Sequence, residues 1–157
     1  PKSPVNEITW EMKRLRVIAE NCVGCRICQL SCSMVHFNGA FNPRKALIRV
    51  KNPRDYSAGT ITNVMDRPLV CEQCDPAPCR EACPADAFAK IETLNIWSIN
   101  PEDCTGCQEC VEACPFDMIV WLSEENRAMK CDLCGGDPVC AVYCPTGALI
   151  FEQGKVR

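Results

Sequence analysis

Sixteen cysteines stand in four groups of four: Cys22, Cys25, Cys28 and Cys32; Cys71, Cys74, Cys79 and Cys83; Cys104, Cys107, Cys110 and Cys114; and Cys131, Cys134, Cys140 and Cys144. Thiolates in such sets are soft metal ligands. The first and third groups read C-x2-C-x2-C-x3-C, the spacing that holds a [4Fe–4S] cubane. Three cysteines two residues apart let one tight loop reach three irons, with its turning amides free to point at sulfur. The second group widens its middle gap to Asp75-Pro76-Ala77-Pro78, and the fourth to Gly135-Gly136-Asp137-Pro138-Val139. Both gaps are rich in turn residues, so the longer loop still returns its third cysteine. Three groups close with Cys-Pro, at Pro84, Pro115 and Pro145. The chemistry expected is one-electron transfer through four clusters.

The fourth cysteine of such a run ligates the other cluster of a pair. Four groups then form two crossed pairs, groups two and three inside and groups one and four outside. One inner cluster is expected to use Cys71, Cys74 and Cys79 with Cys114, and the other Cys104, Cys107 and Cys110 with Cys83. The outer clusters are expected to use Cys22, Cys25 and Cys28 with Cys144, and Cys131, Cys134 and Cys140 with Cys32.

The elements that must position these ligands are short. Each Cys-x3-Cys interval is expected on a short helix, which Pro after the last cysteine ends. Apolar runs follow three of the groups, at Ala87–Ala89, Met118–Trp121 and Ala148–Phe151, and read as strands. Residues 88–91 and 96–99 predict a hairpin about Glu92–Asn95, and 118–122 with 128–130 a second one. Residues 16–19 predict a strand before the first group. Residues 33–70 form an insertion with turn signals at Asn38-Gly39, Asn42-Pro43, Asn52-Pro53 and Ala58-Gly59, expected to pack over a cluster or to meet a partner. Within it, 46–50 and 63–70 are expected to be extended. Residues 1–13 form an irregular arm carrying Trp10.

Arg26, Arg80 and Lys130 lie within or beside the groups, where a cation raises a cluster's potential or simply faces solvent. His36, the single histidine, is expected to be a hydrogen-bonded structural residue rather than a ligand. Trp97 and Trp121 are expected to pack, and Met34, Met65, Met118 and Met129 to fill core. There is no phosphate loop, no Ser/His/Asp set and no catalytic carboxylate pair.

Hydrophobic residues make up 47% of the 157, but that count includes the cysteines, and aromatics reach only 6%. So thin a core calls for metal, and the clusters are expected to act as core, with the apo-chain largely unfolded. A disulfide scaffold is disfavoured: the first 21 residues hold no apolar signal segment, and paired Cys-x2-Cys spacings suit a shared metal better than scattered staples. Four all-thiolate zinc sites are a remote alternative, opposed by the tight third and fourth cysteines and the Cys-Pro endings. No apolar stretch approaches the roughly 18 residues of a membrane span. The expectation is a soluble chain in a reducing cytoplasm. The formal charge of −3 falls further when anionic clusters are bound, which argues against nucleic acid. Basic residues at 13–16 and 44–54 read as solvated edges or as a docking patch.

The widened second group, and the ending Cys144-Pro145-Thr146-Gly147-Ala148-Leu149, resemble the small iron–sulfur subunits of molybdenum and tungsten oxidoreductases. That family includes the electron-transfer subunits of dimethyl sulfoxide reductase, nitrate reductase and formate dehydrogenase. The resemblance covers about residues 14–152. The chain's length and Cys71-Glu72-Gln73-Cys74 look most like the ferredoxin-like subunit of tungsten aldehyde oxidoreductase. Two features depart from the pattern: Cys32 is followed by Ser33 rather than Pro, and no membrane-anchoring C-terminal extension is present in the sequence.

The fold expected is α+β, with two pseudo-symmetric bacterial-ferredoxin-like modules. The outer module would comprise 14–50 and 128–152, and the inner 63–127. The resemblance implies a non-catalytic electron-transfer subunit of an anaerobic oxidoreductase complex. Four [4Fe–4S] clusters would relay electrons between a tungsten- or molybdenum-pterin catalytic subunit and a flavin subunit or ferredoxin-type acceptor. The alternative is a free-standing polyferredoxin shuttle. The irregular arm is expected to dock on a neighbouring subunit or a second copy.

Overall fold

The computed structural model describes residues 13–51 and 66–152. The N-terminal arm with Trp10, the turn signals at 52–53 and 58–59, and Met65 lie outside the described residues.

Among the described residues, eight short strands and four α-helices follow in order: β1 Arg14–Val17, α1 Ile27–His36, β2 Arg49–Lys51, β3 Arg67–Leu69, α2 Pro78–Glu81, β4 Phe88–Ile91, β5 Ile96–Ile99, α3 Glu109–Glu112, β6 Val120–Leu122, β7 Arg127–Met129, α4 Val139–Val142 and β8 Leu149–Glu152. The strands pair only in twos, all antiparallel: β1 with β8, β2 with β3, β4 with β5, and β6 with β7. Both expected hairpins form, the second with shorter strands at 120–122 and 127–129 rather than 118–122 and 128–130. Asn95 and Asn126 take positive φ in their turns, a conformation Asn tolerates better than most residues. The first strand lies two residues earlier than expected, because β1 must start at Arg14 to meet Glu152 across the pair. Strand β2 is shorter than expected: Ala46, Leu47 and Ile48 are buried without being in a strand.

The helices ride on the third cysteine of each group. Three are single turns that stop before or at the Cys-Pro step. Helix α1 instead runs ten residues, past Cys32 to His36, because Ser33 can continue a helix where Pro cannot. Helices α1 and α4 pack together, as do α2 and α3.

Two apolar cores result. The first gathers Leu15, Cys28, Cys32, Ala46, Leu47, Ile48, Leu133, Cys140 and Leu149; the second gathers Ala77, Cys79, Phe88, Cys110, Ile119 and Ala128. The inner hairpins divide them. On β5, Ile96 enters the first core while Trp97 and Ile99 face the second; on β6, Val120 and Leu122 enter the first while Trp121 faces the second. Side chains alternate across a strand, so one hairpin can serve both cores. Burying each of Leu47, Ile96 and Leu133 contributes about 1.5–3 kcal/mol.

Candidate metal centres

The loops that carry the first cysteines turn through left-handed residues. Gly24 and Arg26 do so in group one, Gln73 in group two, Gly106 and Gln108 in group three, and Leu133, Cys134 and Gly135 in group four. Such turns bring several cysteines of one loop around a common point, and short helices then set the third and fourth.

The loops converge in crossed fashion. Cys22, Cys25, Cys28 and Cys144 line one cavity, closed by Val23, Pro145 and Thr146. Cys71, Cys74, Cys79 and Cys114 line another, closed by Pro78, Pro115, Ile119 and Lys130. Cys110 feels the charges of Cys104, Cys107 and Cys83, and of Cys79 beyond them. Cys140 feels Cys32, Cys134 and Cys28, and Cys131 feels Cys71, Cys140 and Cys32. Every described thiol thus lies in a sulfur-rich neighbourhood, and no disulfide joins any of the sixteen.

Buried thiols here are hard to ionise. Burial pushes Cys28 and Cys110 up to about 11, with neighbouring thiols adding to the effect, and drives Cys131 and Cys140 higher still. Four soft sulfur donors around one point suit a polynuclear metal centre whose positive charge would offset the cost of ionising them. The donor set therefore fits an iron–sulfur cubane.

Each fourth cysteine is set by backbone donors. Ala87 N donates to Cys83 Sγ and Met118 N to Cys114 Sγ, both at 3.4 Å and both four residues on. At Cys144 burial pushes the thiol up, but the N–H groups of Leu149, Thr146 and Ala148 and the Thr146 hydroxyl outweigh it and hold the group below its ordinary range. Pro after these cysteines ends the helix and frees the following amides. Cys32 lacks that Pro, and its donor is Leu47 N at 3.3 Å, from the insertion. The insertion thus packs against the Cys32 sulfur.

His36 sits between two groups. Its Nδ1 meets the Cys32 carbonyl at 2.9 Å and lies 3.8 Å from Cys32 Sγ; its Nε2 meets Asp132 Oδ1 at 3.0 Å. The Asp132 carboxylate, then Cys32, holds the imidazole up to about 11. The ring is a hydrogen-bonded strut, as expected. Asp132 also accepts from Cys134 N at 2.8 Å. Sequence reading missed Asp132, although Asp two residues before a turning cysteine is a recognisable Asx arrangement.

The other flagged residues divide. Arg26 caps α1 with a left-handed backbone and lines the cavity of Cys22, Cys25, Cys28 and Cys144. Arg80 stacks its guanidinium 4.2 Å from the centre of the Trp97 ring, its Nε buried. Trp97 and Trp121 pack against the second core and Met118 is buried. Lys130 is only 5% exposed. Gln73, also missed, links it to the neighbouring group, donating to the Cys131 carbonyl at 2.9 Å. No helix among the described residues is long and apolar enough to cross a membrane.

The family model of the 4Fe-4S dicluster domain matches residues 62–154. The putative electron transport protein YsaA of Escherichia coli is 34% identical over 140 residues, covering 83% of each chain. The iron–sulfur subunit of the nitrate-inducible formate dehydrogenase of Escherichia coli is 33% identical over 176 residues, with 99% of this chain matched to 58% of that one. The polyferredoxin-like subunit of an aliphatic sulfonate oxidoreductase of Pyrococcus furiosus is 34% identical over 140 residues, covering 89% of this chain and 73% of its own. In fold, the chain is similar to a chain of the active-site complex BamBC of benzoyl coenzyme A reductase, with a TM-score of 0.50 at 24% identity over 93% of this chain and 82% of that one.

Proposed function

The chain belongs to the 4Fe-4S dicluster domain family, and from that premise we propose that it is a non-catalytic electron-transfer subunit holding four [4Fe–4S] clusters. The observation that carries the reading is the crossed convergence of thiols. Cys144 closes the cavity of Cys22, Cys25 and Cys28, and Cys114 closes that of Cys71, Cys74 and Cys79. The remaining ligand sets are Cys104, Cys107 and Cys110 with Cys83, and Cys131, Cys134 and Cys140 with Cys32. Proximity of Cys83 to Cys110 and of Cys32 to Cys140 supports them. The outer module is 14–50 with 128–152, the inner 63–127, and the two repeat one another pseudo-symmetrically. When bound, each cluster takes up and releases one electron at a potential set by its surroundings.

The order of the sites follows from which ligands neighbour across them. Cys28 lies near Cys140, Cys131 near Cys71, and Cys110 near Cys79. The route therefore runs from the group-one site through the group-four and group-two sites to the group-three site. Its two ends carry the exposed cysteines, Cys25 and Cys107. One end meets a tungsten- or molybdenum-pterin catalytic subunit of the aldehyde oxidoreductase type. The other passes electrons to a flavin subunit or a ferredoxin-type acceptor in the cytoplasm. The relatives named as iron–sulfur or polyferredoxin-like subunits of oxidoreductases support a docked subunit over a free shuttle.

Replacing Cys114 by Ser tests the wiring. The cluster of Cys71, Cys74 and Cys79 should change its electron paramagnetic resonance signal while that of Cys104, Cys107 and Cys110 stays intact. A change confined to the latter would overturn the crossed assignment. Isolation of the native complex, with metal analysis and identification of its chains, tests the partner.

A further inference from the structure

Lys130 is a cation with no view of solvent. Its side chain is 5% exposed, and it reaches the wall of the cavity formed by Cys71, Cys74, Cys79 and Cys114. Its Nζ donates to Trp97 O at 2.7 Å and to Gln73 Oε1. Gln73, 3% exposed, sits inside the Cys71–Cys74 loop and spends its amide nitrogen on the Cys131 carbonyl. The ammonium is thus fixed by two neutral acceptors, with no carboxylate among its described hydrogen-bond partners. A buried charge is normally paired. The cavity it reaches is lined by four cysteines, which a bound cluster would make anionic, and by the exposed Glu72.

We propose that Lys130, held in place by Gln73, is the positioning residue that sets the potential of the group-two site and makes it the electron-retaining point in the middle of the route. Each one-electron reduction adds a negative charge to the bound cluster. A fixed cation at the cavity wall stabilises the reduced form more than the oxidised form, and burial keeps water from screening it. Lys130 adjoins Cys131 in sequence, yet it lines the group-two cavity rather than standing with the Cys131 group.

This inference rests on the four-cluster reading above, and the experiment separates the two. The holo-protein is titrated potentiometrically and followed by electron paramagnetic resonance, in wild type and in Lys130→Gln, Lys130→Met and Lys130→Arg. With charge lost, one of four waves should move down, the wave that Cys79→Ser also alters. At a fixed poise its reduced-to-oxidised ratio should fall at least about tenfold, which is about 59 mV for a one-electron couple. Lys130→Arg should restore most of the shift. Four waves with none displaced in Lys130→Gln overturns the inference and leaves the four-cluster reading standing. Loss of the cluster in all three variants, Arg included, also overturns it and makes Lys130 a structural strut. Fewer than four clusters in wild type fails the underlying reading itself.

Discussion

The backbone N–H of Leu47 donates to Cys32 Sγ at 3.3 Å across 15 residues of sequence, where two of the other three groups draw the equivalent donor from four residues on. The difference follows from Ser33. With no Pro, α1 continues to His36 and its amides stay engaged in the helix. The insertion then supplies the missing donor and buries Leu47 to 1% beside the sulfur.

The residue after Cys32 is therefore not a Pro that happens to be absent. Ser33 is fully buried; its hydroxyl donates to Leu30 O at 2.9 Å and accepts from Asn42 N at 3.1 Å, tying the insertion to the helix. Ser33→Pro would match the other three groups in sequence yet should destabilise the holo-protein by about 3 kcal/mol or more, through a clash in the helix interior. Denaturant unfolding, with iron content, checks it. A variant as stable as wild type would mean the i+4 donor arrangement can be rebuilt here.

His36 gives a pH dependence of defined sign. Its imidazole is held up to about 11 against an ordinary value near 6.5, chiefly by Asp132. A raised pKa means the folded form keeps a proton that the unfolded chain releases. The contribution is complete below about pH 6.5, shrinks as pH rises, and is gone once pH passes about 11. His36→Asn should thus lose iron faster than wild type at pH 6.5, with the ratio of the two rates falling towards one by pH 10. A constant ratio, followed by bleaching of the visible absorption, would contradict this.

Much of this was legible because metal sites constrain spacing. The cysteine intervals placed the loops and helices, and apolar runs between them marked the inner hairpins, with β6 two residues shorter than the run at 118–122. What spacing could not reveal depends on contacts distant in sequence. Lys130 reads equally as a cluster-tuning cation or a surface charge until Gln73, 57 residues away, is seen to hold it. Asp132 gains meaning only from His36, 96 residues away. The start of β1 slid by two residues because its register is decided by β8, at the other end of the described chain.

Gly106 should not tolerate a side chain. It sits at φ +77 inside the Cys104–Cys107 loop, and a Cβ there would lie 2.7 Å from Asn126 O, a backbone atom that cannot swing away. Gly39, at φ +84, has nothing within 4 Å of the same hypothetical carbon. Gly39→Ala should cost only the left-handed strain, about 1 kcal/mol. Gly106→Ala should cost more and should disturb one cluster selectively. Paired measurement of thermal midpoint and of cluster signals separates the two effects. Equal, small losses in both variants would show that the β6–β7 turn yields.

Removing iron should unfold the chain, and restoring it should release protons. Cys28 and Cys110 stand at about 11 when buried, against an ordinary 9.0, so a folded apo-chain keeps neutral thiols below pH 9 and is penalised between about 9 and 11, where the unfolded chain ionises and the folded one does not. Without metal the two cores are separated by hairpins of three or four residues per strand, too little to hold the fold alone. Chelation should collapse the far-ultraviolet dichroism. Reloading with iron and sulfide must generate thiolates, on the order of one proton released per ligating cysteine. In the unfolded chain the thiolate fraction rises about tenfold per pH unit below the thiol pKa, so loading at pH 8 should outpace loading at pH 7 by up to that factor. A weakly buffered reconstitution with a pH indicator measures both. An apo-chain that keeps its dichroism and loads without acidifying the medium would mean that the fold precedes the metal.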